Sequence, residues 1–205
     1  MIRVDREKKD IVNEGTIALL LDYIRKVITD VASCVISDYG KGVVSARLLE
    51  ELIPLCKKHD VVTIVDPKIG NFGYYKGVSV ITPNHYEAQD LTGIIIEDEE
   101  SLRRCMSAIM NRLSCEAVVV TKGEEGMSVL EKGGALTHIP TIAKEVYDVT
   151  GAGDTVVAML SLSLGAGIDI KESAHLANCA AGIVVQKVGT ATVSREELEK
   201  AVKGL

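Results

Sequence analysis

The stretch CVISDYGKGVVSARLLEELIPLCKKHDVVTIVDP, residues 34–67, decides the fold. It opens on a short apolar run, CVIS, that breaks at Asp38 into the loop DYGKG. From Ser45 the apolar residues return at helical spacing, with Ser45 as N-cap and Lys57, Lys58 and His59 at the far end. VVTIVDP, 61–67, is then a continuous apolar run stopped by Pro67. Runs that are apolar at every position belong to strands covered on both faces, and such strands separated by a helix belong to a parallel sheet.

The same alternation extends outward. TIALLLDYIRKVITD, 16–30, has helical periodicity, VSVITPN (78–84) reads as another buried strand stopped by Pro83, and 98–113 reads as a helix. AVVVTKG (117–123) is a further strand, and MSVLE and ALTHIP form a hairpin around residues 132–134. Three helices follow, at about 152–165, 170–187 and 194–203, the last with Ser194 and Glu197 at capping-box spacing. We therefore expect a single three-layer α/β/α domain over 1–205 with a mostly parallel sheet. In such sheets ligands bind beyond the carboxyl ends of the strands. The unusual loops SDYGKG, DPK, TPNHYE and TKGEEG all fall there.

Composition narrows the function. A net charge of −6 disfavours nucleic acid or an anionic membrane as the main partner, because both call for a basic face. With no tryptophan and Phe72 as the one phenylalanine, the core has to be aliphatic. The 5 cysteines (Cys34, Cys56, Cys105, Cys115, Cys179) are scattered without C-x-x-C spacing, which suits reduced thiols in the cytoplasm. The histidines do not pair with them at zinc-ligand spacing, and none stands in the context of a hydrolase triad. The charged start MIRVDREKKD lacks the apolar run of a signal peptide.

Chemistry concentrates in three loops. DVTGAGDT, 148–155, places two glycines where an apolar helix begins, so backbone N–H groups and the helix dipole can receive an anion. Asp154 beside it suits a general base; plain helix capping explains the same letters equally well. In TPNHYE, Asn84 and Glu87 stand at i, i+3, able to hold a hydrated magnesium and its phosphates or simply to form a capping box. Thr121, Gly123 and Gly126 follow a buried strand and could cradle a nucleotide, as could many ordinary strand–turn–strand loops. Neither G-x-x-x-x-G-K-[ST] nor G-x-G-x-x-G occurs. Lys41 and Lys68 each follow a strand's carboxyl end, where a phosphate would be attracted.

DVTGAGDT, TPNHYE and VVVTKGEEGM, in this order and spacing, resemble the signature loops of the ribokinase-like (PfkB) carbohydrate kinases. SDYGKGVV, VDPK, TPNHYEAQDLTG and GTATVSREELEKAV resemble most closely the D-glycero-β-D-manno-heptose 7-phosphate kinase domain of the ADP-heptose synthesis enzymes. The likeness runs from about Ser37 to the C-terminus, and faintly to RVD at 3–5. It implies an ATP- and Mg2+-dependent kinase with Asp154 as base and the amides of Gly151, Ala152 and Gly153 as anion hole. Thr121, Gly123, Gly126, Asn178 and Asn84 would bind ATP, with Asn84 and Glu87 holding magnesium through water. Asp148 and Thr150, with backbone oxygens near Val184 and Gly189, would hold a monovalent cation such as K+. Lys41 and Lys68 would face the substrate or the transferred phosphate.

The front of the family pattern, with its opening strands, sugar contacts and β-sheet lid, has no counterpart here. The expectation is thus an ATP-side portion, weak or inactive alone, that pairs as a homo-oligomer or with a separate N-terminal chain. A non-catalytic nucleotide-binding or interaction module, and a kinase for another sugar, are the alternatives.

Overall fold

The computed structural model describes residues 10–143 and 146–203. RVD at 3–5 lies outside them, as does Glu145 beside the DVTGAGDT loop. The elements in chain order are α1 (Glu14–Val27), β1 (Ser33–Ser37), α2 (Ala46–Lys58), β2 (Val62–Asp66), β3 (Val80–Ile81), α3 (His85–Thr92) and α4 (Glu99–Leu113). They continue as β4 (Ala117–Thr121), β5 (Met127–Glu131), β6 (Leu136–Ile139), α5 (Ala152–Gly165), α6 (Ile170–Val184) and α7 (Arg195–Lys203).

The strands form one 6-stranded sheet in the order β1-β2-β3-β4-β5-β6. The first four run parallel and β5 and β6 are antiparallel, as the hairpin requires. Successive residues on each central strand face opposite ways, so both faces are apolar. Ile36, Val65, Ile81 and Val118 meet α2, α3 and α4 through Leu52, Leu91 and Ile109. Ile64, Val80, Val119 and Met127 meet α5 and α6 through Leu160 and Ala177. That is the expected three-layer arrangement. The core is aliphatic as composition demanded; Phe72 is buried, with the Arg112 guanidinium 4.9 Å from its ring centre.

Two elements differ from the expectation, and a third, α2, forms as expected around a proline. β3 spans only Val80–Ile81 of the run 78–84. Pro83 has no N–H to continue the ladder, and the pairing resumes only as an isolated parallel bridge between Asn84 and Thr121. A 3-10 helix, Ile69–Tyr75, fills the loop after β2, with Phe72 and Tyr75 pointing into the core. α2 carries Pro54 in its interior, which periodicity alone does not forbid. Pro54 faces solvent, so the Glu50 carbonyl it leaves without a helical donor can be hydrated. Among the described residues no helix is long and apolar enough to cross a membrane. All 5 cysteines are free thiols.

Candidate functional site

The sheet presents its loops at the carboxyl ends of β1 to β4, and there the sequence motifs converge. Thr121 ends β4, and its N–H donates to the Pro83 carbonyl at 3.1 Å, bringing the TPNHYE turn against the TKGEEG turn. Asn84 and Glu87 form the capping box of α3. The Asn84 Oδ1 accepts from the Glu87 N–H at 2.9 Å, and the Glu87 Oε2 accepts from the Asn84 N–H at 3.0 Å. This satisfies helix-end donors and leaves the second Glu87 oxygen open.

Across from this turn, α5 begins without a side-chain cap. Gly151 is its N-cap at φ 82°, a left-handed position that glycine occupies without cost. The Ala152 N–H is spent on the Val149 carbonyl at 3.2 Å. The N–H groups of Gly153 and Asp154 find no partner among the described residues, and both residues are exposed. The Gly151 N–H likewise finds none, so of the expected Gly151–Gly153 set only the Ala152 donor is engaged, and the Asp154 N–H adds a further free one. Neither Asp154 nor Thr155 caps the helix through its side chain; the Thr155 hydroxyl instead donates to the Gly151 carbonyl at 2.8 Å.

A cavity of about 550 Å³ joins the two loops. It runs from Thr121, Gly123 and Gly126, past Ala152 and Gly153, to Asn178 and Val185 on and after α6. All the residues expected to bind a nucleotide line it except Asn84, which adjoins Thr121. Asn178 is buried and donates its Nδ2 to the Pro140 carbonyl at 2.7 Å, so its side chain ties α6 to the end of β6. The Asp148 carboxylate takes N–H groups from Thr150 at 2.9 Å and Gly189 at 3.0 Å, and the Thr150 hydroxyl first, then these two donors, hold its pKa below the usual range. Gly189 thus joins the Asp148 loop through its N–H. The Val185 carbonyl is also committed, to the N–H groups of Tyr147 and Asp148. Lys41 sits 5.8 Å from the Tyr39 ring centre, within cation–π range.

Two acidic positions near this site escaped the reading of the sequence. Asp66, the last residue of β2, has its pKa pushed up to about 6, first by burial and then by the nearby charges of Glu87 and Asp154. Asp38 is buried in the loop after β1, and its N–H donates to the Asp66 carbonyl at 3.1 Å. An acidic residue closing an otherwise apolar strand was the available signal, in DPK and SDYGKG alike. Asp38, Asp66, Glu87 and Asp154 therefore gather at one end of the sheet, although among the described residues no group closes tightly enough to be a ready metal site.

The raised Asp66 makes a signed prediction. The folded state holds this proton more tightly than the unfolded chain, so the contribution of Asp66 to stability is fullest below pH ~4 and is lost as pH rises through about 6. Asp66→Asn should therefore raise stability at pH 8 by about 1–2 kcal/mol, and the gain should vanish near pH 4. Thermal melts between pH 4 and pH 8 check this; a gain independent of pH would contradict it.

A mostly parallel sheet with helices on both faces, carrying an open helix N-terminus and a cavity at the carboxyl ends of its strands, defines an α/β protein built to bind a ligand there. Residues 2–197 match the pfkB family of carbohydrate kinases, and the chain belongs to that family. It is 42% identical over 198 residues to the bifunctional protein HldE of Geobacter sulfurreducens, covering 97% of this chain and 40% of that protein. The chain thus spans about 40% of the length of the curated relatives it matches. Among solved structures it resembles phosphofructokinase-2 from Escherichia coli in complex with potassium, at TM-score 0.82 and 20% identity over 95% of this chain and 63% of that one. It also resembles Arabidopsis thaliana ribokinase complexed with ribose and ATP, at TM-score 0.76 and 20% identity over 96% and 61% of the two chains.

Proposed function

We propose that residues 1–205 form one ribokinase-like unit carrying the ATP side of a cytoplasmic sugar kinase that acts on a sugar phosphate. The observation that supports it is the cavity joining the Thr121–Gly126 turn to the open amides at the start of α5, with Asp154 on the same first turn. The likeness of its loops to the heptose kinases points to D-glycero-β-D-manno-heptose 7-phosphate as acceptor.

In this reading Asp154 accepts the proton of the attacking sugar hydroxyl, while the free amides of Gly151, Gly153 and Asp154 and the α5 dipole hold the phosphoryl group in transit. Gly151 supplies the left-handed turn that aims them. Thr121, Gly123, Gly126 and Asn178 wall the nucleotide cavity. Asn84, Glu87 and Asp66 would hold hydrated magnesium, which would supply neutralisation of the phosphate charge. The crowding of Asp66 by neighbouring carboxylates is the feature that suits a divalent cation there. A monovalent cation at Asp148 and Thr150 would have to use lone pairs left over from N–H donors, and no step is derived from it.

The acceptor side lies open. Among the described residues β1 pairs only with β2, and Val35 (41% exposed) and Leu162 (68%) stand bare beside it. We assign the cover of this edge to a further segment like those of the longer relatives or to a second copy of the chain, and expect weak transfer without it. The test is calorimetric binding of ADP together with turnover of heptose 7-phosphate and Mg-ATP, by the chain alone and with such a segment added. Binding with transfer only in the completed assembly supports the proposal. Robust transfer by the chain alone overturns the open-edge part of it. Binding without transfer in any pairing selects a nucleotide-binding module, and absence of ADP binding overturns both.

A further inference from the structure

Two of the free thiols, Cys34 near the start of β1 and Cys56 near the end of α2, are in hydrogen-bond contact with each other. The backbone brings them together. The Cys56 carbonyl accepts the Val61 N–H at 2.9 Å, and the next N–H along, that of Val62, donates to the Ala32 carbonyl at 3.1 Å. Ser33 pairs with Val62 in the parallel register of β1 and β2, and Cys34 follows it. On the strand Cys34 shares a face with Ile36, and that face packs on the core cluster that contains Cys56. The contact is therefore fixed by a helix end, a strand start and the sheet register.

The two thiols differ in exposure. Cys56 is 0% exposed, whereas Cys34 is half-buried, on a strand whose outer edge no other strand covers among the described residues. The remaining thiols are sealed: Cys105, Cys115 and Cys179 are buried, and burial raises the pKa of each. Contact with Cys56 is the first cause that draws the Cys34 pKa down, outweighing its burial, so the negative charge of the pair rests on the more accessible sulfur. The same contact, and then burial, pushes the Cys56 thiol up and keeps its proton in place as the donor. An accessible thiolate backed by a second thiol within reach is the arrangement that thiol–disulfide exchange requires: one sulfur attacks and the other resolves.

We propose that Cys34 and Cys56 form a modification site that reacts with a low-molecular-weight disulfide and closes as an intramolecular bridge between β1 and α2. The Cys34 thiolate attacks one sulfur of the co-reactant, breaking its S–S bond, forming a mixed disulfide and releasing one thiolate. Cys56 then attacks the Cys34 sulfur; the Cys34–Cys56 bond forms, the mixed S–S bond breaks and the second thiolate leaves. The two protein thiols give up two electrons and two protons, and the co-reactant takes up both as two thiols. Once Cys34 is in the mixed disulfide, the thiolate that retained the Cys56 proton is gone, which frees the buried sulfur to resolve it. The bridge spans the segment that carries the DYGKG loop and ties the edge strand to its covering helix. In a reducing compartment the dithiol is the resting state and the bridge responds to a more oxidising poise. No step involves the nucleotide cavity, so the site does not rest on the kinase reading.

The test incubates the folded full chain with cystamine, a small disulfide, alkylates the remaining thiols and maps the peptides by mass spectrometry. The unaltered chain should become lighter by two hydrogens and yield a Cys34–Cys56 cross-linked peptide, with Cys105, Cys115 and Cys179 still reduced. Cys34→Ala should leave every remaining thiol reduced, and Cys56→Ala should stop at a cysteamine adduct on Cys34. In the unaltered chain the bridge should raise the melting temperature by roughly 5–10 °C, reversibly with dithiothreitol. Cys56→Ala opens a gap in the core, so the unaltered chain carries the decision. If it keeps both thiols, or forms a cross-link between any other pair or between two chains, the proposal is overturned. Absence of the Cys34 adduct in a folded Cys56→Ala chain overturns the order of attack. A bridge that leaves the melting temperature unchanged or lowers it overturns the claim that the fold already holds the two sulfurs in bonding positions.

Discussion

Asp154→Asn should lower phosphoryl transfer by about 10²–10⁴-fold while leaving nucleotide affinity within about twofold. The carboxylate stands exposed on the first turn of α5, next to amides that find no partner among the described residues. Asparagine has the same shape and still accepts a hydrogen bond, but it cannot take the proton of an attacking hydroxyl. The substitution also removes a favourable charge–dipole interaction at the helix N-terminus, worth only about 0.3–1 kcal/mol at an exposed position. Loss of transfer would therefore report chemistry and not unfolding. The measurement is single-turnover transfer from Mg-ATP to heptose 7-phosphate in an assembly that transfers with Asp154 present, together with calorimetric binding of ADP. A loss smaller than tenfold would remove Asp154 from the role of base.

Gly126→Ala should be the most damaging single methyl in the nucleotide loop, destabilising the fold by about 3–5 kcal/mol and abolishing nucleotide binding. Gly126 stands at φ 85°, ψ −128°, a conformation for which only glycine is suited. A Cβ there would lie 2.2 Å from the Ile139 carbonyl oxygen, 2.6 Å from the Thr141 nitrogen and 2.7 Å from the Pro140 carbonyl carbon. These are backbone atoms of the segment leaving β6, so no side-chain rotation relieves the clash. That segment also supplies the Pro140 carbonyl to Asn178 and the Thr141 wall of the cavity. Gly151 offers the internal control. It too has a positive φ, 82°, yet a Cβ there meets nothing within 4 Å, so Gly151→Ala should cost only about 1–2 kcal/mol of backbone strain. Urea denaturation of the two variants separates them; equal losses would contradict the assignment of Gly126 to close backbone packing.

Gly126 also shows how much of the site was legible. In TKGEEG it reads as a residue that lets a backbone approach a phosphate. Its constraint in the structure comes instead from the strand exit crossing behind it, 13 residues further along at Ile139. Asn84 and Glu87 were legible in both of their readings, because a capping box is local and i, i+3 spacing suffices to form it. In DVTGAGDT the helix start was legible, whereas the set of free amides was not: the Val149 carbonyl captures the Ala152 N–H, and the amides of Gly151, Gly153 and Asp154 are left without a partner among the described residues.

The sequence by itself determined the elements and their order. Apolar runs at every position or at helical spacing are properties of nearest neighbours along the chain, as are the caps at Ser45, Asn84 and Ser194. Only the tertiary structure decided that Asp38, Asn71, Tyr75 and Lys68 share one buried network, and that burial first, and then the nearby charges of Glu87 and Asp154, drive Asp66 toward its neutral form. Those residues come from the end of β2, from the segments after β1, β2 and β3 and from the first turn of α5. Their proximity is set by strand order and register, and the burial that gives each contact its strength exists only once both faces of the sheet are covered.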